Sequence, residues 1–131
     1  MTNLQRTQRI FELKSETGSN KALLDALADD VRWTIAGSGW AAGTYTKSEL
    51  IDNVLTPLGD RLKGTVHSHV DEMLDAGDTI IVRWRGESET TWGEPYNNDY
   101  CWLLTWSGDR ITRVVAHIDT LLLERIMTHE A

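Results

Sequence analysis

After Gly64 the apolar pattern of this chain switches to a period of two and keeps it for more than fifty positions. That switch constrains the fold more than any other feature. It predicts strands at about 65–75, 79–90, 96–106 and 110–118, because alternate side chains of a strand point to opposite faces. Ala76-Gly77-Asp78 and Ser107-Gly108-Asp109 are short joins of the hairpin kind, and Gly93-Glu94-Pro95 makes the middle turn. Strands joined this tightly run antiparallel to their neighbours, so a meander is expected.

The segment before Gly64 has the helical period instead. Leu4, Thr7, Phe11 and Lys14 fall on one stripe of a helix expected over 3–16, and Gly18 ends it. A short second helix carries Leu23, Leu24, Leu27 and Ala28. Val31, Trp33 and Ile35 then alternate with polar residues as a first strand. Gly37-Ser-Gly39-Trp40-Ala-Ala-Gly43 lacks the lysine and spacing of a phosphate loop and reads as a turn-rich crossover. Thr46-Lys-Ser-Glu49 is a capping box opening a third helix over about 47–58. A last helix is expected from about 120 to 128, capped by Asp119 or Thr120. Helices first and a long hairpin sheet afterwards make an α+β domain spanning residues 1–131. Its curved antiparallel sheet packs against the N-terminal helices and encloses a pocket at its open end.

Composition narrows the partners. Thirteen basic residues against twenty acidic give a net charge of −7, which argues against nucleic acid and anionic membranes. The single cysteine, Cys101, excludes an internal disulfide and is compatible with a reducing cytoplasm. The polar start, Met1-Thr-Asn-Leu-Gln-Arg, is followed by no apolar run of the length of a signal peptide or membrane span. Six tryptophans against one phenylalanine is an unusual aromatic balance. Buried Trp is common in cores, but a surplus of flat apolar rings also suits a pocket for planar or hydrophobic ligands.

The inward stripe of the sheet is expected to hold Val82, Trp84, Tyr100, Trp102, Leu104, Val114, Ala116 and Ile118, joined by Trp33 and Ile35 from the first strand. Such a wall either lines a cavity or fills the core. His67 and His69 share a strand face with Asp71. Facing inward, an imidazole there is an acid–base group with a carboxylate beside it. Facing outward, the three are a solvated stripe and Val66, Val70 and Leu74 are the core side. His117 and Asp119 share another face, where Asp119 is either a rim carboxylate or the cap of the last helix. Tyr96 and Tyr100 offer O–H donors or pack across strands. Arg83, Arg85, Glu87 and Glu89 alternate with Trp84 and form a charged outer face. No third ligand stands at metal-site spacing from the histidines, so neither metal nor cofactor is expected.

One ordered set of segments stands out: Leu27-Ala-Asp-Asp-Val31-Arg-Trp33, Ala42-Gly43-Thr-Tyr45, Asp75-Ala-Gly-Asp78-Thr-Ile-Ile-Val, Tyr96-Asn-Asn-Asp-Tyr100-Cys-Trp102, Gly108-Asp-Arg-Ile111 and Ala116-His-Ile-Asp119-Thr120. In this order they resemble the SnoaL-like branch of the nuclear transport factor 2-like superfamily. That group includes ketosteroid isomerases, limonene epoxide hydrolases and polyketide cyclases. The resemblance covers nearly the whole chain and implies a cone-shaped fold with a deep pocket and a homodimer formed through the sheet. It does not imply one activity. The oxyanion-holding and proton-moving positions of the ketosteroid isomerases fall on Phe11, Trp102 and Ile35. Those of the epoxide hydrolases fall on Trp84, Gly86 and Ala116, and the acid–base aspartate of the polyketide cyclases also falls near Ala116. These residues lack the chemistry of the groups they replace.

Two readings follow. In the first, the chain is a cofactor-free isomerase, cyclase or hydratase-type enzyme acting on a small hydrophobic or aromatic ligand. His67, His69 or Asp119 then moves the proton, and Phe11 joins the pocket wall. In the second, it is a non-catalytic ligand-binding or accessory dimeric protein.

Overall fold

A computed structural model describes residues 1–130. The first helix, α1 (Asn3–Thr17), opens on a capping box between Thr2 and Gln5. It closes on Gly18 in the left-handed region at φ 68°, where a side chain is strained. A Cβ on Gly18 would also stand 2.6 Å from the Thr65 Cβ. Gly18→Ala is therefore expected to destabilise the protein by about 1–2 kcal/mol, measured as a lower urea midpoint with unchanged slope.

The second helix, α2 (Lys21–Ala26), is followed directly by β1 (Leu27–Ile35). Leu27 and Ala28, expected on the helix, belong to this strand. Leu27, 2% exposed, pairs with Ile111 across the sheet, and that partner is invisible to a local helical pattern. A short strand, β2 (Gly43–Tyr45), pairs antiparallel with the end of β1 and begins on the last residue of the segment read as crossover.

The third helical segment runs further than expected, to Arg61. It consists of α3 (Lys47–Leu50), a π-helical turn (Ile51–Leu55) and α4 (Thr56–Arg61). The Thr56 N–H reaches back to the Ile51 carbonyl, which widens the helix just before Pro57, a residue with no N–H to give.

Then come the long strands β3 (His67–Ala76), β4 (Thr79–Glu89), β5 (Pro95–Ser107) and β6 (Arg110–Ile118), and the last helix α5 (Thr120–Met127). The six strands form one open sheet in the order β2-β1-β6-β5-β4-β3. The four long strands are the expected meander. The sheet as a whole is mixed rather than antiparallel, because β1 runs parallel to β6, with Trp33 opposite Val114 and Ile35 opposite Ala116.

A register shift between Val70 and Glu72 interrupts the alternation of β3. Leu74, expected on the core side, is 50% exposed, and the half-buried Met73 packs on the core in its place. Such a bulge inserts one unpaired residue and reverses the faces beyond it.

One face of the sheet is buried by the helices. Val82, Leu104, Ile111 and Val114 on it are fully buried, as is Ile126 of α5. The other face carries charge. Arg83 pairs with Glu72, Arg85 with Asp71 at 3.2 Å, and His69 lies 3.7 Å from Glu87.

Candidate active site

A cavity of about 100 Å³ opens between the buried face of the sheet and the helical segment 47–58. Its floor is the sheet: Trp33 and Ile35 of β1, Trp84 of β4, Tyr100 and Trp102 of β5, and Ala116 and Ile118 of β6. Helical aliphatic residues close it, among them Leu50, Val54 and Leu58, with Leu23 and Leu123 from the flanking helices. The lining is almost wholly apolar because alternate residues of four neighbouring strands present their apolar side here.

The aromatic floor is ordered by ring contacts. Trp84 stacks on Tyr100 at 3.9 Å with an interplanar angle of 11°. Trp102 meets Trp33 and Trp84 edge-on, at 5.0 and 4.9 Å. Gly86 makes room for the stack. A Cβ there would lie 2.9 Å from Val66 and 3.2 Å from the Tyr100 ring.

One charged side chain enters this wall. Lys14 of α1 lines the cavity and is 4% exposed. Its Nζ donates to the Ser68 Oγ at 3.1 Å and lies 4.5 Å from the centre of the Trp84 ring. Among the described residues it forms no salt bridge with a carboxylate. Burial without a counter-ion disfavours the ammonium, and the Lys14 pKa is lowered from 10.5 to about 8. At pH 7 about one tenth of the side chain is then the neutral amine.

Tyr96 and Tyr100 line the same cavity, and burial pushes both phenols up, Tyr100 well above its ordinary value. Both therefore stay protonated. Asn98, buried beside them, donates to the Tyr96 hydroxyl at 3.1 Å and to the Asp119 carbonyl at 3.2 Å, and accepts from the Asp119 N–H at 3.0 Å. It ties the start of β5 to the start of α5.

Two polar atoms of the wall have no partner. The indole N–H groups of Trp84 and Trp102 are buried and make no hydrogen bond. The Trp106 indole, by contrast, donates to Thr7 Oγ1 at 3.0 Å.

The residues singled out in the sequence separate into two sets. Trp33, Ile35, Trp84, Tyr100, Trp102, Ala116 and Ile118 lie on the cavity wall. Phe11, Leu104 and Val114 do not; they are core residues behind it. Phe11 packs against Trp84 and Trp102 from the side of α1, at 5.6 and 5.9 Å.

His67 and His69 are exposed and pair in register with Glu87 and Arg85 on the outer face of the sheet. The inward alternative for them is corrected by Ser68, which takes the buried place between them. Asp119 accepts from the Leu122 N–H at 3.1 Å and caps α5, so its carboxylate serves the helix rather than the cavity.

Lys14 and Asn98 are the polar residues that the sequence did not single out. Lys14 did carry a signal: it lies three positions after Phe11 on the buried stripe of α1.

The sequence profile described as SnoaL-like domain matches residues 8–114. The chain belongs to the SnoaL-like family. The solved structures agree in fold. An NTF2-like protein from Burkholderia thailandensis is 24% identical, with 98% of this chain and 99% of that one covered and a TM-score of 0.79. An NTF2-like protein of unknown function from Burkholderia pseudomallei is 22% identical, covering 98% and 100%, at a TM-score of 0.78. A protein of ketosteroid isomerase-like fold from Catenulispora acidiphila, solved in complex with trimethylamine, is 18% identical, covering 88% and 85%, at 0.66. Among curated proteins no significant sequence match is found. The SnoaL-like fold is consistent with a small-molecule-binding domain of the isomerase or cyclase type. No helix among the described residues is long and apolar enough to cross a membrane.

Proposed function

We propose that this SnoaL-like chain binds a small, flat, apolar metabolite in the cavity and moves a proton on it with Lys14, without a cofactor. The observation that carries this reading is the single cation of the wall. Lys14 sits against Trp84 with a pKa of about 8 and no carboxylate partner. An amine poised near the working pH is an effective general base, and apolar burial is the means of poising it. Size sets a further limit. A cavity of about 150 Å³ holds benzene, so about 100 Å³ rules out an enclosed polycycle and leaves a single ring that extends through the opening.

The reaction class that fits is proton abstraction beside a carbonyl, the first step of isomerisations and cyclisations. The base takes the α-proton as the C–H bond breaks, and the electron pair moves onto the carbonyl oxygen. Incubating the protein in D2O with a panel of single-ring ketones tests this by deuterium uptake at the α-carbon. Wild-type protein is expected to accelerate uptake, with the rate rising through a pH of about 8 as the amine is freed. Lys14→Met is expected to lose a factor of about 10²–10⁴. Equal uptake by the two proteins removes Lys14 from the mechanism.

A second reading, a ligand carrier without turnover, is favoured by one observation: among the described residues the cavity lining contains no Asp, Glu or His. Saturable quenching of tryptophan fluorescence with no Lys14-dependent exchange would select it.

A homodimer through the outer face of the sheet belongs to both readings. Half-buried Ile81, Cys101, Leu103 and Val115 lie on that face between its charged positions and support the pairing. Sedimentation at micromolar concentration is expected to give a dimer; a monomer alone contradicts it.

A further inference from the structure

The polar inventory of the cavity is one-sided. Lys14 contributes a cation with one hydroxyl partner, Ser68. Asn20 adds one amide to the lining. The indole N–H groups of Trp84 and Trp102 are buried inside the wall and do not open onto the cavity. Tyr96 and Tyr100 contribute phenols that burial keeps protonated. Among the described residues no carboxylate lines the cavity, although the chain as a whole carries a net charge of −7. A buried cation without an anion is costly. A ligand that supplies the missing anionic oxygen relieves that cost.

We propose that the cavity is selective for a planar oxyanion, an aryl or cycloalkenyl carboxylate or the enolate of a single-ring carbonyl compound, with Lys14 as its counter-ion. This rests on the reading of the cavity as the ligand site and deepens it by naming the charge of the occupant. The apolar walls take the ring, and the ammonium takes the oxygen. In proton abstraction by Lys14 the same ion pair, ammonium and enolate, forms on the enzyme, so a stable planar anion resembles the intermediate rather than the starting ketone.

Titratable groups on the packed elements do not compete for the anion. On β3 and β4, His67, His69, Arg83, Arg85 and Glu87 are exposed on the opposite face of the sheet. On α1, Arg9, Glu12 and Glu16 are exposed to solvent, and on α2 so are Lys21 and Asp25. Arg6, half-buried on α1, is turned to Trp106, its guanidinium 5.9 Å from that ring. On β5, Tyr96 and Tyr100 line the same cavity as protonated phenols.

Benzoate and benzamide are near-isosteric, one anionic and one neutral, and both are titrated against the intrinsic tryptophan fluorescence. At about pH 6 benzoate is expected to bind about tenfold or more tightly than benzamide, the margin of a charge-assisted over a neutral contact. At about pH 10, above the Lys14 value of about 8, the preference is expected to vanish while benzamide is unchanged. Lys14→Met is expected to show no preference at either pH. Because the pH series uses the wild-type protein, the test survives a variant that folds poorly. Equal binding of the two probes, or tighter binding of benzamide at about pH 6, overturns the anion selectivity and leaves the cavity as a ligand site. A preference that persists undiminished at about pH 10 and in Lys14→Met also overturns it, since the anion is then held elsewhere. Failure of both probes to bind at millimolar concentration overturns the selectivity and the ligand-site reading together.

Discussion

Lys14→Met is expected to make the folded protein more stable at neutral pH, by about 1–2 kcal/mol, while removing the group on which its chemistry depends. A fall in pKa from 10.5 to about 8 corresponds to about 3 kcal/mol of penalty on the buried ammonium, at about 1.4 kcal/mol per pH unit. Methionine of similar length avoids that penalty and fills the same apolar space. Against this stand the lost hydrogen bond to Ser68 at 3.1 Å and the contact over Trp84, together about 1–2 kcal/mol.

The pH dependence carries a definite sign. Between about 8 and 10.5 the unfolded chain binds a proton at Lys14 that the folded chain does not. Wild-type stability therefore rises with pH across that window relative to the variant. Below a pH of about 8 the penalty is fully present, and above about 10.5 it is gone. Urea titrations of both proteins are expected to cross: the variant is more stable at pH 7, the wild type at the alkaline end. Parallel curves would mean that Lys14 is hydrated in the folded state. A residue that costs stability where it stands is the usual mark of a functional position rather than a structural one.

Phe11→Ala is expected to cost about 3–5 kcal/mol, the range for deleting a buried aromatic ring. Phe11 is 1% exposed and is the chain's only phenylalanine. Its ring packs on Trp84 at 5.6 Å with an interplanar angle of 66°, and on Trp102 at 5.9 Å. Truncation removes the support behind two residues of the cavity wall. The backbone of α1 is tied to β3 by the Ser15 hydroxyl on the Ser68 carbonyl at 2.9 Å, so the helix does not simply collapse into the gap. The cost is expected as a lower urea midpoint at unchanged slope, together with weaker binding of any ligand that contacts Trp84. A loss below about 1 kcal/mol would show that α1 is not the wedge that holds the aromatic floor.

The fold was largely legible because its elements are local. Periods of two and of 3.6, the capping box at Thr46 and the glycine turns are properties of neighbouring residues, and the helices and hairpins follow from them. What escaped is non-local. The parallel pairing of β1 with β6 joins residues some eighty positions apart, and nothing in Val31-Arg-Trp33 announces a parallel partner. The bulge after Val70 has no glycine or proline to mark it, so Leu74 reads as inward when it is not. The π-helical turn at Ile51–Leu55 has the same apolar pattern as an α-helix.

At the site, the aromatic wall follows from strand alternation, which is why Trp84, Tyr100 and Trp102 stand out in the sequence. Lys14 does not, because a lysine on a helix is usually solvated. Only its place on the buried stripe, one turn after Phe11 and two after Thr7, hints otherwise. Conversely His67 and His69 attract attention for their chemistry, yet the face of a strand is set by register. Ser68, small enough to sit under Lys14, is the residue that turns inward.

Both the base and the buried cation stand or fall with the proton affinity of Lys14 in the folded protein. Titration of the lysine side-chain resonances, with Lys14 assigned by its loss in Lys14→Met, is expected to show one lysine with a midpoint of about 8. A Lys14 midpoint near 10.5, the ordinary value, would mean a solvated ammonium and would contradict both the poised base and the buried cation from which the function was argued.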